Sequence, residues 1–333
     1  MEYGSLDYVA FLNTVATLFV LMIVGFYAGK IGLIDNLSSK KLSSIIIGIS
    51  QPVLIISSLI SIEYSKDFLV LGLKTLAFGF IAHIAIGIFA FFACAKFKDL
   101  DERKIIEFSM IFGNTGFIGI PILRSLLGST GAFMASFIMP VFNILLWTLG
   151  MAILARKRKD IKLTIRKALI NKGTVPSLIG FIIFIIPAFW PGFKLPGFAT
   201  ESLSYLSSLC TPVSMLIIGA LLAKRTPKQI FGSWKIYYLS AFKLIVTPLL
   251  VCIVMKLLGF SELWIVFGTT IVAMPAGSSA SMFGEVYDIA PGFAAQSVGT
   301  TTLLAIGTMP LVVWIAQTVA KLQIPTLLSL FQK

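Results

Sequence analysis

Two apolar stretches long enough to cross a bilayer are interrupted, at corresponding places, by residues that an unbroken spanning helix avoids. The first reads Gly113-Asn114-Thr115-Gly116-Phe117-Ile118-Gly119-Ile120-Pro121; the second, about 160 residues later, reads Ala273-Met274-Pro275-Ala276-Gly277-Ser278-Ser279. Lipid offers no partner to freed backbone N–H and C=O groups. Non-helical backbone at that depth therefore survives only where it is buried in protein or lines a watery cavity. One such break in each half of a chain is the arrangement by which secondary transporters build a binding site near the midplane.

Composition supports a membrane setting. Hydrophobic residues are 57% of the 333 and charged residues 12%, whereas a soluble domain is about one quarter charged; mean hydropathy is +0.97. A net charge of +13 on a soluble surface would point to nucleic acid. Here the cations sit in short segments between apolar runs, where they set orientation, and no nucleic-acid partner is expected. Cys94, Cys210 and Cys252 lie far apart inside apolar runs, so packing is expected of them rather than a disulfide or zinc site. No metal or cofactor is expected. Glu2 and Asp7 at the N-terminus do not form a basic leader region, so the first apolar run reads as a retained span.

Spanning takes roughly 20 apolar residues, and the chain offers ten candidates, near 8–29, 42–62, 68–95, 105–124, 129–155, 172–190, 202–223, 235–257, 263–286 and 291–320. Connections after the odd-numbered spans one to seven are rich in Lys and Arg, above all Arg156-Lys157-Arg158-Lys159 through Lys172. The opposite connections hold only scattered cations such as Lys66, Arg124, Lys194 and Lys256. Positive-inside logic puts the rich set in the cytoplasm and both termini outside.

Five spans on either side of the basic linker imply a duplication: 1–155 is the first repeat, 156–171 the linker and 172–333 the second repeat. An odd number of spans per copy inverts the second copy relative to the first. Three landmarks recur at nearly one lag: Gln51-Pro52-Val53 with Thr211-Pro212-Val213, the Gly116 break with the Gly277 break, and His83 with Lys243. The expected fold is thus all-α and integral to the membrane, with broken fourth and ninth spans.

The breaks are also where ligand chemistry is expected. Gly weakens a helix by about 1 kcal/mol and Pro by about 3 kcal/mol relative to Ala. Asn114 and Thr115 can present polar groups there, and a helix starting near Gly116 aims its positive end at an anion. Gly119 and Pro121 complete that stretch. Pro275, Ala276, Gly277, Ser278 and Ser279 repeat the arrangement. The competing reading is close helix packing through small residues, with the serines bonding back to their own helix. Lys243 in span eight either faces a ligand carboxylate or snorkels to the surface. Asn143 in span five donates to a ligand or a neighbouring helix. Gln51 and Thr211 read as caps for kinked backbone, and His83 as a core histidine or a proton relay.

These residues also resemble a known family. The string Phe112 to Pro121 is similar to the fourth-span signature of the auxin efflux carrier family, and Gly284-Glu285-Val286-Tyr287 through Thr308-Met309-Pro310 is similar to its C-terminal pattern. The resemblance implies ten spans in two inverted five-helix repeats of the bile-acid/sodium-symporter-like kind, with spans four and nine crossing where they unwind. It implies a scaffold of spans one, two, six and seven beside a mobile domain that works like an elevator. It also implies organic-anion substrates and is compatible with a homodimer. By the same resemblance Asn114, Pro121 and Pro275 are crossover residues, and Asn143 is the polar position of span five. The central hydrophilic loop of many plant members is absent, since only about 16 residues stand there.

The expectation is therefore a non-enzymatic secondary transporter of small carboxylates in the cytoplasmic membrane. A channel or a non-transporting sensor shares its hydropathy. An intramembrane hydrolase would have to be built from Ser278 or Ser281 with His83.

Overall fold

The computed structural model describes residues 8–158 and 169–323, so most of the basic linker lies outside the described residues. Among the described residues every regular element is helical. The helices are α1 (Tyr8–Lys30), α2 (Asn36–Ile45), α3 (Gln51–Leu59), α4 (Lys66–Ala93), α5 (Leu100–Ile111), α6 (Ile120–Leu145), α7 (Met151–Leu154) and α8 (Thr174–Ile185). They continue with α9 (Gly197–Ser208), α10 (Cys210–Ala223), α11 (Pro227–Phe231), α12 (Trp234–Ala241), α13 (Thr247–Leu257), α14 (Glu262–Val272), α15 (Ser278–Val286) and α16 (Pro291–Lys321). Runs of these make seven segments long and apolar enough to cross a membrane, and Thr174–Ala188 and Glu262–Val272 are shorter apolar helices.

Prolines shape the helices locally. Pro52, Pro121 and Pro248 each follow a wide turn, at Ile46–Ser50, Thr115–Gly119 and Phe242–Val246. Proline brings no N–H and its ring presses on the carbonyl four residues back, so the helix widens by one residue just ahead of it. A different device divides α6, where Gly128 adopts φ 62°, ψ −154°. That left-handed value is open to glycine and strained for other residues.

Two packing groups emerge. α1 lies directly on α10 because Gly25 and Gly219 have no side chain; a Cβ on either would strike the Leu216 or Met22 carbonyl. α3 packs on α8 and α9, completing a group of α1, α3, α8, α9 and α10. In the second group α4 packs on α6, where Gly72 accepts the Phe137 ring, and α16 packs on α14 and α15. The groups meet along α6, which also packs on α1, α3 and α8, and along α16, which packs on α1, where the Tyr8 hydroxyl donates to the Pro310 carbonyl at 2.9 Å.

At one end, the buried Glu107 carboxylate accepts from Arg103 at 2.6 Å and from Arg156 at 2.6 Å. Both guanidiniums also cover the Phe91 ring. The start of the linker is thereby fastened to α4 and α5, and Arg158 extends the attachment by donating to the Tyr287 carbonyl at 3.0 Å.

Candidate functional site

The two breaks meet. Helix α5 ends when Phe112 turns extended (φ −97°, ψ 97°), and α14 ends ahead of Pro275, which has no N–H to continue it. The unwound pieces lie antiparallel, Gly113 opposite Ala276. The Asn114 N–H donates to the Pro275 carbonyl at 2.8 Å, and the Gly277 N–H to the Phe112 carbonyl at 3.0 Å. Backbone groups released by one break are thus satisfied by the other, which removes the penalty of unwinding in lipid. The Ala276 N–H finds the Thr301 hydroxyl at 3.1 Å, and that hydroxyl in turn donates to the Ser297 carbonyl at 2.7 Å.

Glycine suits this contact, where an added Cβ would crowd its neighbours. A Cβ on Gly113 would stand 3.2 Å from the Met274 carbonyl oxygen, and one on Gly277 would stand 3.1 Å from the Gly113 carbonyl oxygen. Gly116 leaves room for the Gln51 carboxamide, and Gly119 packs against Ile271 and Met274. Pro121 sits in the first turn of α6, half-buried.

What remains unpaired is informative. Asn114 is only 4% exposed, yet its Nδ2 has no hydrogen-bond partner among the described residues. Nine other buried side-chain atoms among the described residues also lack a partner; Asn114 is set apart by standing at the crossing itself, where a buried unpaired donor calls for an explanation. The Asn114 carbonyl closes the wide turn by accepting from Ile118 and Gly119, both at 3.1 Å. Thr115, Gly116 and Phe117 open that turn, so their N–H groups have no earlier carbonyl in their own helix. Ser278, exposed, and Ser279, half-buried, open α15 in the same way. The positive ends of two helices therefore start from one crossing.

The other expected residues are distributed unevenly. Lys243 belongs to the crossing: it is 1% exposed, its Nζ donates to the Met110 carbonyl at 3.1 Å, and it lies 3.2 Å from the Cβ position of Gly113. Its burial rules out the snorkelling alternative. His83 lines the same small cavity as Lys243, Gly113 and Thr115. Its Nδ1 is 2.6 Å from the Gly79 carbonyl, and Phe112 and Phe142 flank the ring. Neither Ser278 nor Ser281 lines that cavity, so the serine–histidine pairing that a hydrolase would need is not formed there. Asn143 turns back on its own helix, donating to the Met139 carbonyl at 2.8 Å, and packs against Gly173 at the start of the next segment.

Two contributors were not expected from sequence. Thr301 holds the second break, but it sits in the run Thr300-Thr301-Thr302, where any hydroxyl can bond its own helix. Gln51, expected to cap a kink, has its carboxamide against Gly116. Beside the crossing lies a cavity of about 40 Å³ walled by Val15, Met215, Ile118, Pro275, Thr302 and Met309, at the seam between the two packing groups.

Comparison with known proteins gives a consistent picture. Residues 10–315 match the family model described as membrane transport protein. An uncharacterized transporter of Methanocaldococcus jannaschii is 28% identical over 312 residues, covering 91% of this chain and 98% of the relative. An uncharacterized transporter of Methanothermobacter thermautotrophicus is 23% identical, covering 90% and 96% respectively. A protein of Rhizobium meliloti whose name provisionally assigns malonate transport is 24% identical, covering 73% and 75% respectively.

Proposed function

The chain belongs to the membrane transport protein family, whose members are auxin efflux carrier-like, and from that premise we propose a secondary transporter of small organic anions working by alternating access. The observation that carries the reading is the unpartnered Nδ2 of buried Asn114 at a crossing from which two helix N-termini diverge. Positive helix ends together with a free amide donor suit a carboxylate. The site comprises Asn114, the amides of Thr115 and Gly116, and Ser278 and Ser279 after Pro275-Ala276-Gly277. Gly119 and Pro121 shape its wall. Asn143 acts at one remove, through the helix that carries Met139, whose methyl group lies near Gly116.

We read the architecture as ten spans in two inverted repeats. Each half runs in the same order: a first span, one interrupted near a proline, one at 66–93 or 234–257, a broken span, and a last one at 129–154 or 291–321. Antiparallel pairing of the breaks is what inverted copies produce. The group around α1 and α10 serves as scaffold, and the crossing moves past it in an elevator-like stroke. The basic connections lie in the cytoplasm and both termini outside, in the cytoplasmic membrane. The malonate named for the Rhizobium relative makes small carboxylates the first substrates to try.

The test is a thermal-shift screen of mono- and dicarboxylates on purified protein, followed by counterflow in liposomes with the best hit. A stabilising carboxylate with saturable counterflow is expected. Non-saturating flux would make the protein a channel, and stabilisation without flux would make it a sensor.

A further inference from the structure

Helices α5 and α14 approach the crossing in opposite directions and both stop there. Each C-terminus leaves carbonyl groups without a partner in its own helix and carries roughly half a negative charge. The two ends converge: Ile111 and Gly113 from one, Ile271 and Val272 from the other, line a single cavity of about 20 Å³ together with Lys243 and His83. Among the described residues no carboxylate lines that cavity. A buried ammonium needs compensation, and here the visible partner of Lys243 is the Met110 carbonyl of α5, at 3.1 Å. Carbonyl ends of broken helices are the places where membrane carriers hold a cation.

We propose that Lys243 is a built-in counter-cation: its ammonium fills the monovalent-cation site created by the two converging carbonyl ends, so the crossing needs no free inorganic cation. The alternating-access reading is required only for the consequence that the anion moves without sodium. The resident cation itself is a statement about the resting structure.

The experiment reads stability rather than transport, so it stands whether or not any carboxylate is carried. Wild-type protein and Lys243→Ala are purified in choline chloride and in methylammonium chloride at equal ionic strength, and wild type is also examined in sodium chloride. Choline is too large for the cavity; methylammonium reproduces the end of the lysine side chain. Wild type should show the same Tm in all three salts. Lys243→Ala should be less stable in choline and gain about 3 °C or more, saturably, in methylammonium. Lys243→Arg should stay closer to wild type than Lys243→Met in choline.

Equal yield and Tm of Lys243→Ala in choline and methylammonium, including no folded protein in either, would overturn the proposal. So would saturable stabilisation of wild type by sodium, or a Lys243→Met protein as stable as wild type.

Discussion

The two breaks do the same backbone task with different chemistry. The first brings a side chain: Asn114 sits at the turn, 4% exposed, with its amide nitrogen unsatisfied. The second has Ala276 opposite Gly113, holds its backbone with a hydroxyl borrowed from Thr301, and places Ser278 at an exposed helix start. The two breaks therefore share their backbone pairing but not their polar chemistry, because the unsatisfied side-chain amide stands at the first. Likeness of the two breaks in backbone does not make them alike in recognition.

The largest test of this asymmetry is Asn114→Ala. It should reduce carboxylate counterflow at least about 100-fold, corresponding to about 2.7 kcal/mol of lost interaction, while leaving a folded, monodisperse protein. Full activity would refute the assignment of the first break as the side-chain donor.

Next come the contact glycines. Gly113→Ala and Gly277→Ala both push a methyl toward a carbonyl oxygen, and each should lower stability by about 1–3 kcal/mol in denaturant or thermal unfolding. Gly116→Ala meets only the end of the flexible Gln51 side chain, so it should be milder and repaired by Gln51→Ala. A Gly116→Ala defect that Gln51→Ala leaves unrepaired would mean that the backbone, not Gln51, is the constraint.

Thr301→Val orphans the buried Ala276 N–H and should lose about 1–3 kcal/mol, with Thr301→Ser recovering most of it. Stability unchanged in the valine variant would show that the second break does not need its hydroxyl. The smallest effect belongs to Ser278→Ala. Its exposed hydroxyl predicts a stability change within about 0.5 kcal/mol and a change in transport KM rather than in protein yield. A loss of counterflow as large as that of Asn114→Ala would abolish the asymmetry.

Much of this was legible in the residues because proline and glycine act locally. Pro121 and Pro275 in apolar runs announced broken helices, and the breaks are where the sequence placed them. The hydrophobic runs located some spans closely, 66–93 for an expected 68–95 and 234–257 for an expected 235–257; others differ, since one segment, Thr115–Leu154, stands where 105–124 and 129–155 were expected, and the expected 263–286 contains only the short apolar helix Glu262–Val272. His83 and Lys243, singled out together in the sequence, also line one cavity. Less legible were the partners. Asn143 and Asn114 look alike as amides in apolar stretches, yet one folds back on Met139 and the other stands unpaired. Helical periodicity gives the face of a side chain but not its neighbour in another segment. Thr301, 25 residues from Ala276 and on a different helix, was obscured for that reason.

By itself the sequence determined that the chain is helical and apolar enough to span a membrane, and that its helices are interrupted at 113–121 and 273–279. Those outcomes follow from transfer energies and from what proline and glycine permit within a few residues. Only the tertiary structure decided that the freed amides at 112–114 and 275–277 would satisfy one another, that Thr301 would take up Ala276, and that Lys243 would turn inward to the Met110 carbonyl. Each of those choices is made between distant segments, where the need to pair every buried polar group is met by whichever partner the packing brings within about 3 Å.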